Sequence, residues 1–305
     1  MSAVASPAVA QAAAQARANE RRNRRRTIRA HTFLALAAFI WLIPILYALY
    51  TSFRPYEVTA ERGYASIGGS LTFDNYTTAW KDADMPHFYL NTLVVTVPAL
   101  IVTLLLASFV AFGVSRFSWR FNLTVLLIFT AGNLLPQQVI LTPLYRMFLE
   151  IPLPAWMSDS ETLFDSYYGI ILIHVAFQIG FCTFVLSNYM RTLPIELTEA
   201  ALIDGASVWR QYWQVIMPLC RAPLAALATL QFTWVYNDFL WAQVLMQTGD
   251  KRPITSALNS LQGLFFTNNN LIAAASLVAA LPPLLIYFAL QRHFIGGLTL
   301  GATKG

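Results

Sequence analysis

Six stretches of this chain stay apolar for roughly twenty residues or more: about 33–53, 88–114, 121–142, 167–189, 220–247 and 271–291. A bilayer core about 30 Å thick is crossed by roughly 20 residues of helix. Inside hydrocarbon no water can pair a free N–H or C=O, so only helices and closed barrels cross. Barrel strands are about ten residues long with strict alternation of apolar and polar positions, and these segments have neither property. The rest of the composition agrees. Of 305 residues, 57% are hydrophobic and 11% are charged, against about 25% charged in ordinary soluble domains. Mean hydropathy is +0.53. That little charge cannot cover a water-facing globule, and it excludes a disordered chain, a coiled coil and a disulfide scaffold. The expectation is an all-α membrane protein with six transmembrane helices.

The distribution of charge orients the spans. Seven arginines, Arg17, Arg21, Arg22, Arg24, Arg25, Arg26 and Arg29, precede the first apolar stretch. Such a run can bind nucleic acid. Leading directly into a span, it reads instead as a cytoplasmic anchor on membrane lipid, with no nucleic acid partner. With the N-terminus inside, the inside segments hold 14 Lys and Arg and the outside segments hold 6. Cytoplasmic loops are enriched in these residues, so both termini are expected in the cytoplasm. The first span is about twice as long as a signal-peptide core, so it reads as retained. Residues 1–30 read as a disordered basic extension and 31–305 as the membrane domain. Cys182 and Cys220 lie in or beside apolar stretches without a C-x-x-C pattern, which fits small core residues better than a metal or redox site. Pro44, Pro98, Pro136 and the pair Pro282-Pro283 should kink or open their helices. Freed backbone of this kind serves either a wet pathway or packing.

The loop at 190–218 is the most informative segment. Pro194 suits a first helical turn, and Glu196 and Glu199 favour its positive end. Ala200, Ala201 and Leu202 sustain a helix, and Gly205 can take the left-handed turn that ends it. Ser207 can cap a second helix, which Pro218 then terminates. Trp209, Tyr212 and Trp213 give that helix an amphipathic face for the membrane boundary. The physics alone allows either a connector lying on lipid or a small-residue surface that another protein approaches closely.

The spacing decides between them. Glu199-Ala200-Ala201, then Gly205 after three residues, then Val215, Met217 and Pro218, follows the signature loop of ABC importer permeases. Val215 and Met217 replace the usual Ile and Leu. Asp204-Gly205-Ala206 completes the form seen in carbohydrate permeases. Leu71-Thr72-Phe73-Asp74-Asn75-Tyr76, Asn91-Thr92, the exit Ala111-Phe112-Gly113-Val114-Ser115-Arg116 and Asn237-Asp238-Phe239-Leu240-Trp241 are also similar to that family, with Tyr236 where Trp is usual. The ending Gly296–Gly305 resembles that of the maltose-type permeases. The chain therefore resembles, over about residues 33–305, the carbohydrate permeases of the type I ABC importers.

The resemblance implies a division of labour. Two permeases form the path, two separate ATPase subunits drive it, and an extracytoplasmic sugar-binding protein delivers the sugar on loops that include 54–87 and 143–166. The setting implied is a bacterial or archaeal cytoplasmic membrane. The chain has three lysines, Lys81, Lys251 and Lys304, none followed by Ser or Thr, so it holds no Walker A motif. It is expected to be no enzyme and to carry no cofactor, ATP and Mg being bound by the ATPase. Glu199, Ala200, Ala201, Asp204, Gly205 and Pro218 would couple to that ATPase. Gly301, Lys304 and Gly305 in the tail 293–305 would touch it, unless the tail is disordered.

A sugar path needs amides or carboxylates beside an aromatic surface. Asn133, Gln137, Gln138, Gln178, Gln231, Asn237 and Asp238 are the polar residues placed in spans to provide it. Each could equally serve helix–helix hydrogen bonding. His174 reads as a packed residue. The alternatives are an ABC permease for a non-sugar solute and an ion-coupled secondary transporter, for which Asp238 alone offers an intramembrane acid. No metal-ligand cluster or nucleophile motif supports a membrane enzyme.

Overall fold

The structure, a computed structural model, describes residues 7–132, 136–261 and 267–299. These residues form helices α1 (Pro7–Ser52), α2 (Tyr56–Arg62), α3 (Asp74–Lys81), α4 (Met85–Arg116), α5 (Asn122–Ala131), α6 (Gln137–Glu150), α7 (Tyr167–Thr192) and α8 (Glu196–Ile203). They continue with α9 (Val208–Arg210), a π-helix (Gln211–Ile216), α10 (Met217–Leu219), α11 (Arg221–Tyr236), α12 (Leu240–Leu245), α13 (Ile254–Ser260), α14 (Asn269–Ala279) and α15 (Leu281–Thr299). No strand occurs among the described residues.

Four stretches are long and apolar enough to cross a bilayer: Arg22–Ser52, Met85–Arg116, Tyr167–Thr192 and Asn269–Gln291, the last with a break at Ala280 between α14 and α15. The other two expected spans are divided. The stretch 121–142 falls on α5 and α6, and α6 starts only after Pro136 and runs on to Glu150. Pro136 itself is extended, with ψ 126°, and the helix begins at the residue after it. The stretch 220–247 is α11 and α12, interrupted at Asn237–Phe239. Residues 7–30, expected to be disordered, are helical and continuous with the first span. Ala, Gln and Arg are all good helix formers, and a span already nucleated lets the helix propagate outward. Pro44 and Pro98 lie inside unbroken helices.

The centre of the bundle is α4 packed along α7. On α4 the buried positions Ala99, Thr103, Ala107 and Ala111 recur every four residues. Small residues at this spacing let two helix backbones approach closely, which drives association where lipid removes the hydrophobic force. The two helices run parallel. At one end the Tyr167 hydroxyl donates to Asn91 Oδ1 at 2.7 Å, and at the other Arg116 reaches Met190. One apolar cluster joins Val95, Phe148, Ile173 and Trp241 near the first end. A second joins Ala111, Leu186, Tyr212 and Ile216 near the other. By contrast, α1 leaves Phe33, Leu36, Phe39, Ile40 and Trp41 facing outward.

Side-chain amides pin the first end. Asn75 Nδ2 donates to the carbonyls of Ser52 and Arg54 at 2.9 and 2.8 Å. Asn270 Nδ2 donates to those of Thr51 and Arg54 at 3.1 and 2.9 Å. Together they satisfy the carbonyls that α1 leaves open at its C-terminus. Asn91 Nδ2 donates to the Arg252 carbonyl at 3.1 Å, and Thr92 Oγ1 accepts the Ile254 N–H at 2.8 Å.

Three prolines free a carbonyl four residues upstream, and a tyrosine takes each one. Pro283 cannot donate to Ala279, whose carbonyl instead accepts the Tyr236 hydroxyl at 2.8 Å. Pro282 leaves Val278 to the Tyr89 hydroxyl. Pro223 leaves Leu219 to the Tyr189 hydroxyl at 3.2 Å. Tyr236→Phe should therefore destabilise the fold by about 1–3 kcal/mol. In a Pro283→Ala background, where a backbone N–H can return to Ala279, the same change should cost measurably less. A double-mutant cycle of thermal stability in the purified protein checks this, and strict additivity would refute it.

Candidate functional site

The loop from α7 to α11 folds as a hairpin of short helices at the Arg116 end of the bundle. In α8, Glu196 and Glu199 fall in the first turn, where the helix dipole favours negative charge. Gly205 ends the helix with φ +75°. Its N–H reaches the Leu202 carbonyl at 3.0 Å, and the Ala206 N–H reaches Ala201 at 2.9 Å. That bond pair is the Schellman closure, which needs a left-handed residue at this position. Ser207 Oγ then caps the next turn by accepting the Arg210 N–H at 3.3 Å. Glu199, Ala200, Asp204 and Gly205 are exposed and Ala201 is half-buried. Leu202 and Ile203 beside them are also exposed, Ile203 at 86%. The tip of α8 is thus an acidic and apolar knob with no partner within the described chain.

The knob is held rigidly. Arg116, at the end of α4, donates to the carbonyls of Met190 at 2.7 Å, Leu193 at 3.2 Å and Pro194 at 3.3 Å. It thereby closes the C-terminus of α7 and fixes the entry into α8. Gln211 Nε2 donates to the Ala206 carbonyl at 3.0 Å. Tyr212, expected at the membrane boundary, instead turns inward. It is buried, its hydroxyl lies 2.7 Å from Ser108 Oγ on α4, and its ring stacks on Phe109 at 4.6 Å. Trp209 and Trp213 keep exposed surface. Pro218, expected to end the second helix, sits one residue before its last, Leu219. The chain then bends by 75° into α11.

The second feature is a cavity of about 500 Å³ between α6, α7, α11 and the break that follows α11. Four of the expected path residues meet there: Gln137, Gln178, Asn237 and Asp238. Thr233, Trp234, Phe177 and Trp241 complete much of its wall. Asp238 caps α12, accepting the Trp241 N–H at 3.3 Å and the Ala242 N–H at 3.1 Å. Asn237 Nδ2 donates back to the Thr233 carbonyl at 2.9 Å. His174, read from sequence as a packed residue, lines the same cavity, with Nε2 3.6 Å from Asp238 Oδ2. Its position four residues before Gln178 on α7 was the available signal, because that spacing puts both on one helix face. Gln138 is exposed and Gln231 is buried within α11, and neither lines the cavity. Asn133, Gly301, Lys304 and Gly305 lie outside the described residues.

A bundle of long apolar helices with a polar cavity within and an exposed knob at one end defines a multi-pass membrane protein. The chain belongs to the family described as binding-protein-dependent transport system inner membrane components, whose model matches residues 103–299. It is similar to the diacetylchitobiose uptake system permease protein NgcG of Streptomyces coelicolor, at 31% identity over 90% of this chain and 88% of that one. It is also similar to the melibiose/raffinose/stachyose import permease protein MelC of Bacillus subtilis, at 29% identity over 89% and 94%. In fold it matches a chain of a bacterial ABC transporter for the acidic polysaccharide alginate, with TM-score 0.74 and 20% identity over 90% of this chain and 98% of that one. The family is one of transport permeases, not enzymes.

Arg116 yields a direct test. Arg116→Ala should open the 190–196 segment to proteolysis and lower uptake several-fold. Arg116→Lys should recover only part, since an ammonium cannot span three carbonyls as the planar guanidinium does. Limited proteolysis of the membrane-embedded protein reads the first effect. Unchanged cleavage in Arg116→Ala would remove the clamp from the account.

Proposed function

We propose that this chain is one of two permease subunits of an ATP-driven carbohydrate importer in a bacterial or archaeal cytoplasmic membrane. Its partners would be a second, homologous permease, two ATPase subunits that bind the ATP and Mg, and an extracytoplasmic sugar-binding protein. The exposed tip of α8 carries this reading. A short helix with Glu199 and Asp204 around exposed Leu202 and Ile203 suits a groove with an apolar floor and a basic rim. The sugar names of the relatives support the substrate class. The cavity at Gln137, Gln178, Asn237 and Asp238 would be this chain's share of the path.

The same reading gives six crossings with both termini inside. Its support is the pairing of ends. Helices α4 and α7 run parallel, so the chain between them must cross back, through α5 and α6. Helix α11 leads from the Arg116 end to Asp165, which accepts the Gln247 N–H at 2.8 Å at the opposite end. The binding protein would dock at that opposite end. There the 151–166 hairpin is braced by Lys251 on Asp159 at 2.6 Å and holds Trp156 out at 79% exposure, a residue type that anchors interfaces.

Glu199→Lys with Gly205→Val tests the coupling. Added bulk at Gly205 meets nothing within 4 Å, so valine acts through the positive φ alone, which β-branched residues strongly resist. The double variant should lose uptake and ATPase co-purification while membrane yield and helical content stay unchanged. Normal uptake with normal ATPase capture would sink the coupling role.

A further inference from the structure

The cavity of about 500 Å³ lies within the ordinary range of small-ligand pockets, about 300–1,000 Å³. Resting on the carbohydrate reading above, we propose that it is a saccharide subsite belonging to this chain itself, that it takes a neutral saccharide, and that His174 is its polar pole.

The first ground is an unpaired atom. The His174 side chain is 6% exposed, and its Nε2 has no hydrogen-bond partner. At 3.6 Å from Asp238 Oδ2 it is beyond hydrogen-bond reach. Asp238 cannot swing to meet it, because both its oxygens hold the first turn of α12. A buried polar group left unpaired costs about 1–3 kcal/mol, and this one stands on the wall of a cavity. A hydroxyl both donates and accepts. One that bridges the two atoms from the cavity side, with a small turn of the ring to bring Nε2 to the surface, satisfies the ring nitrogen and uses the spare acceptor capacity of the carboxylate.

The second ground is what surrounds that pole. Gln137 and Gln178 offer amide donors and acceptors, and Thr233 offers a hydroxyl. Trp234, which keeps 46% of its surface exposed, and half-buried Phe177 line the same cavity and offer an aromatic surface for the apolar face of a sugar ring. The described lining residues include one carboxylate and no Lys or Arg. A uronate would bring a second negative charge beside Asp238 with no Lys or Arg in the described lining to meet it. A neutral polyol meets no such barrier. The fold likeness to an alginate importer therefore does not extend to an acidic substrate.

The test uses the whole importer, this chain with its partner permease, ATPases and binding protein, in proteoliposomes. The probes are neutral oligosaccharides of glucose, galactose and N-acetylglucosamine, and oligosaccharides of uronic acids. The wild type should import a neutral member and no uronate. His174→Leu should lower that uptake tenfold or more while ATPase stimulation by the loaded binding protein stays within twofold. His174→Gln, which keeps a donor and an acceptor, should recover uptake to within threefold of wild type. Gln178→Leu, on the same wall, should show the same split and serves if His174→Leu does not assemble. Full uptake in the leucine variants, or joint loss of uptake and stimulated ATPase in both, would overturn the subsite. Import of a uronate would overturn its neutral class and leave the carbohydrate reading standing. A wild-type complex that moves no saccharide would remove both.

Discussion

In hydrocarbon a free backbone carbonyl has nowhere to go, and this bundle is built around that constraint. Every helix break creates such carbonyls, and each break here that the described residues span has a side chain assigned to it. Tyr236, Tyr89 and Tyr189 take the carbonyls that Pro283, Pro282 and Pro223 cannot serve. Asn75 and Asn270 close the end of α1, and Arg116 closes the end of α7. The bends are therefore anchored geometry and not slack in the chain. The spans are tied to one another by capping at least as much as by apolar contact.

This ties the α8 knob to the interior. The tip of α8 hangs on α4 and α7 through Arg116, and the following turn is locked to α4 by Tyr212 and Ser108. Beyond the π-helix the chain turns by 75° at Cys220 and becomes α11. That helix ends at the Asn237 break, in the wall of the cavity. One short covalent path and two hydrogen-bonded clamps thus connect the knob to the helix that lines the cavity. A π-helical segment and a proline bend are places where the backbone ladder is already altered, so the bend is where such a path gives most easily.

Much of this was legible in the sequence, and the exceptions share a cause. The positions of the apolar stretches, the left-handed turn at Gly205 and the cap at Ser207 follow from local chemistry, which sequence records directly. The division of 121–142 and 220–247 does not, because hydropathy averages over a window and a two- or three-residue break leaves the average unchanged. The Asp238 cap was the missed signal, since an Asp three residues before a new apolar turn is a helix start. Tyr212 was misplaced because an amphipathic pattern gives a face and not what faces it, and only the packing of α4 against it shows it as a clamp. His174 is packed, as its sequence setting suggested, and the residues around α11 place it beside a cavity as well.

The structure also separates two kinds of polar residue that the sequence presents alike. The motif positions that carried the family resemblance do structural work wherever their contacts are described. Asn75, Asn91 and Thr92 pin the outer loops, Arg116 clamps α7, and Asp238 caps α12. Even Asn237 spends its amide N–H on its own helix. A group committed to the backbone in this way is fixed in place and keeps at most its spare acceptor capacity for a solute. The uncommitted groups on the cavity wall, His174 above all, stand outside those motifs. A shared scaffold that fixes bends and loops with one set of polar residues leaves a second set free to differ from one importer to the next. Discrimination between solutes is then to be sought among the residues that the family pattern does not name.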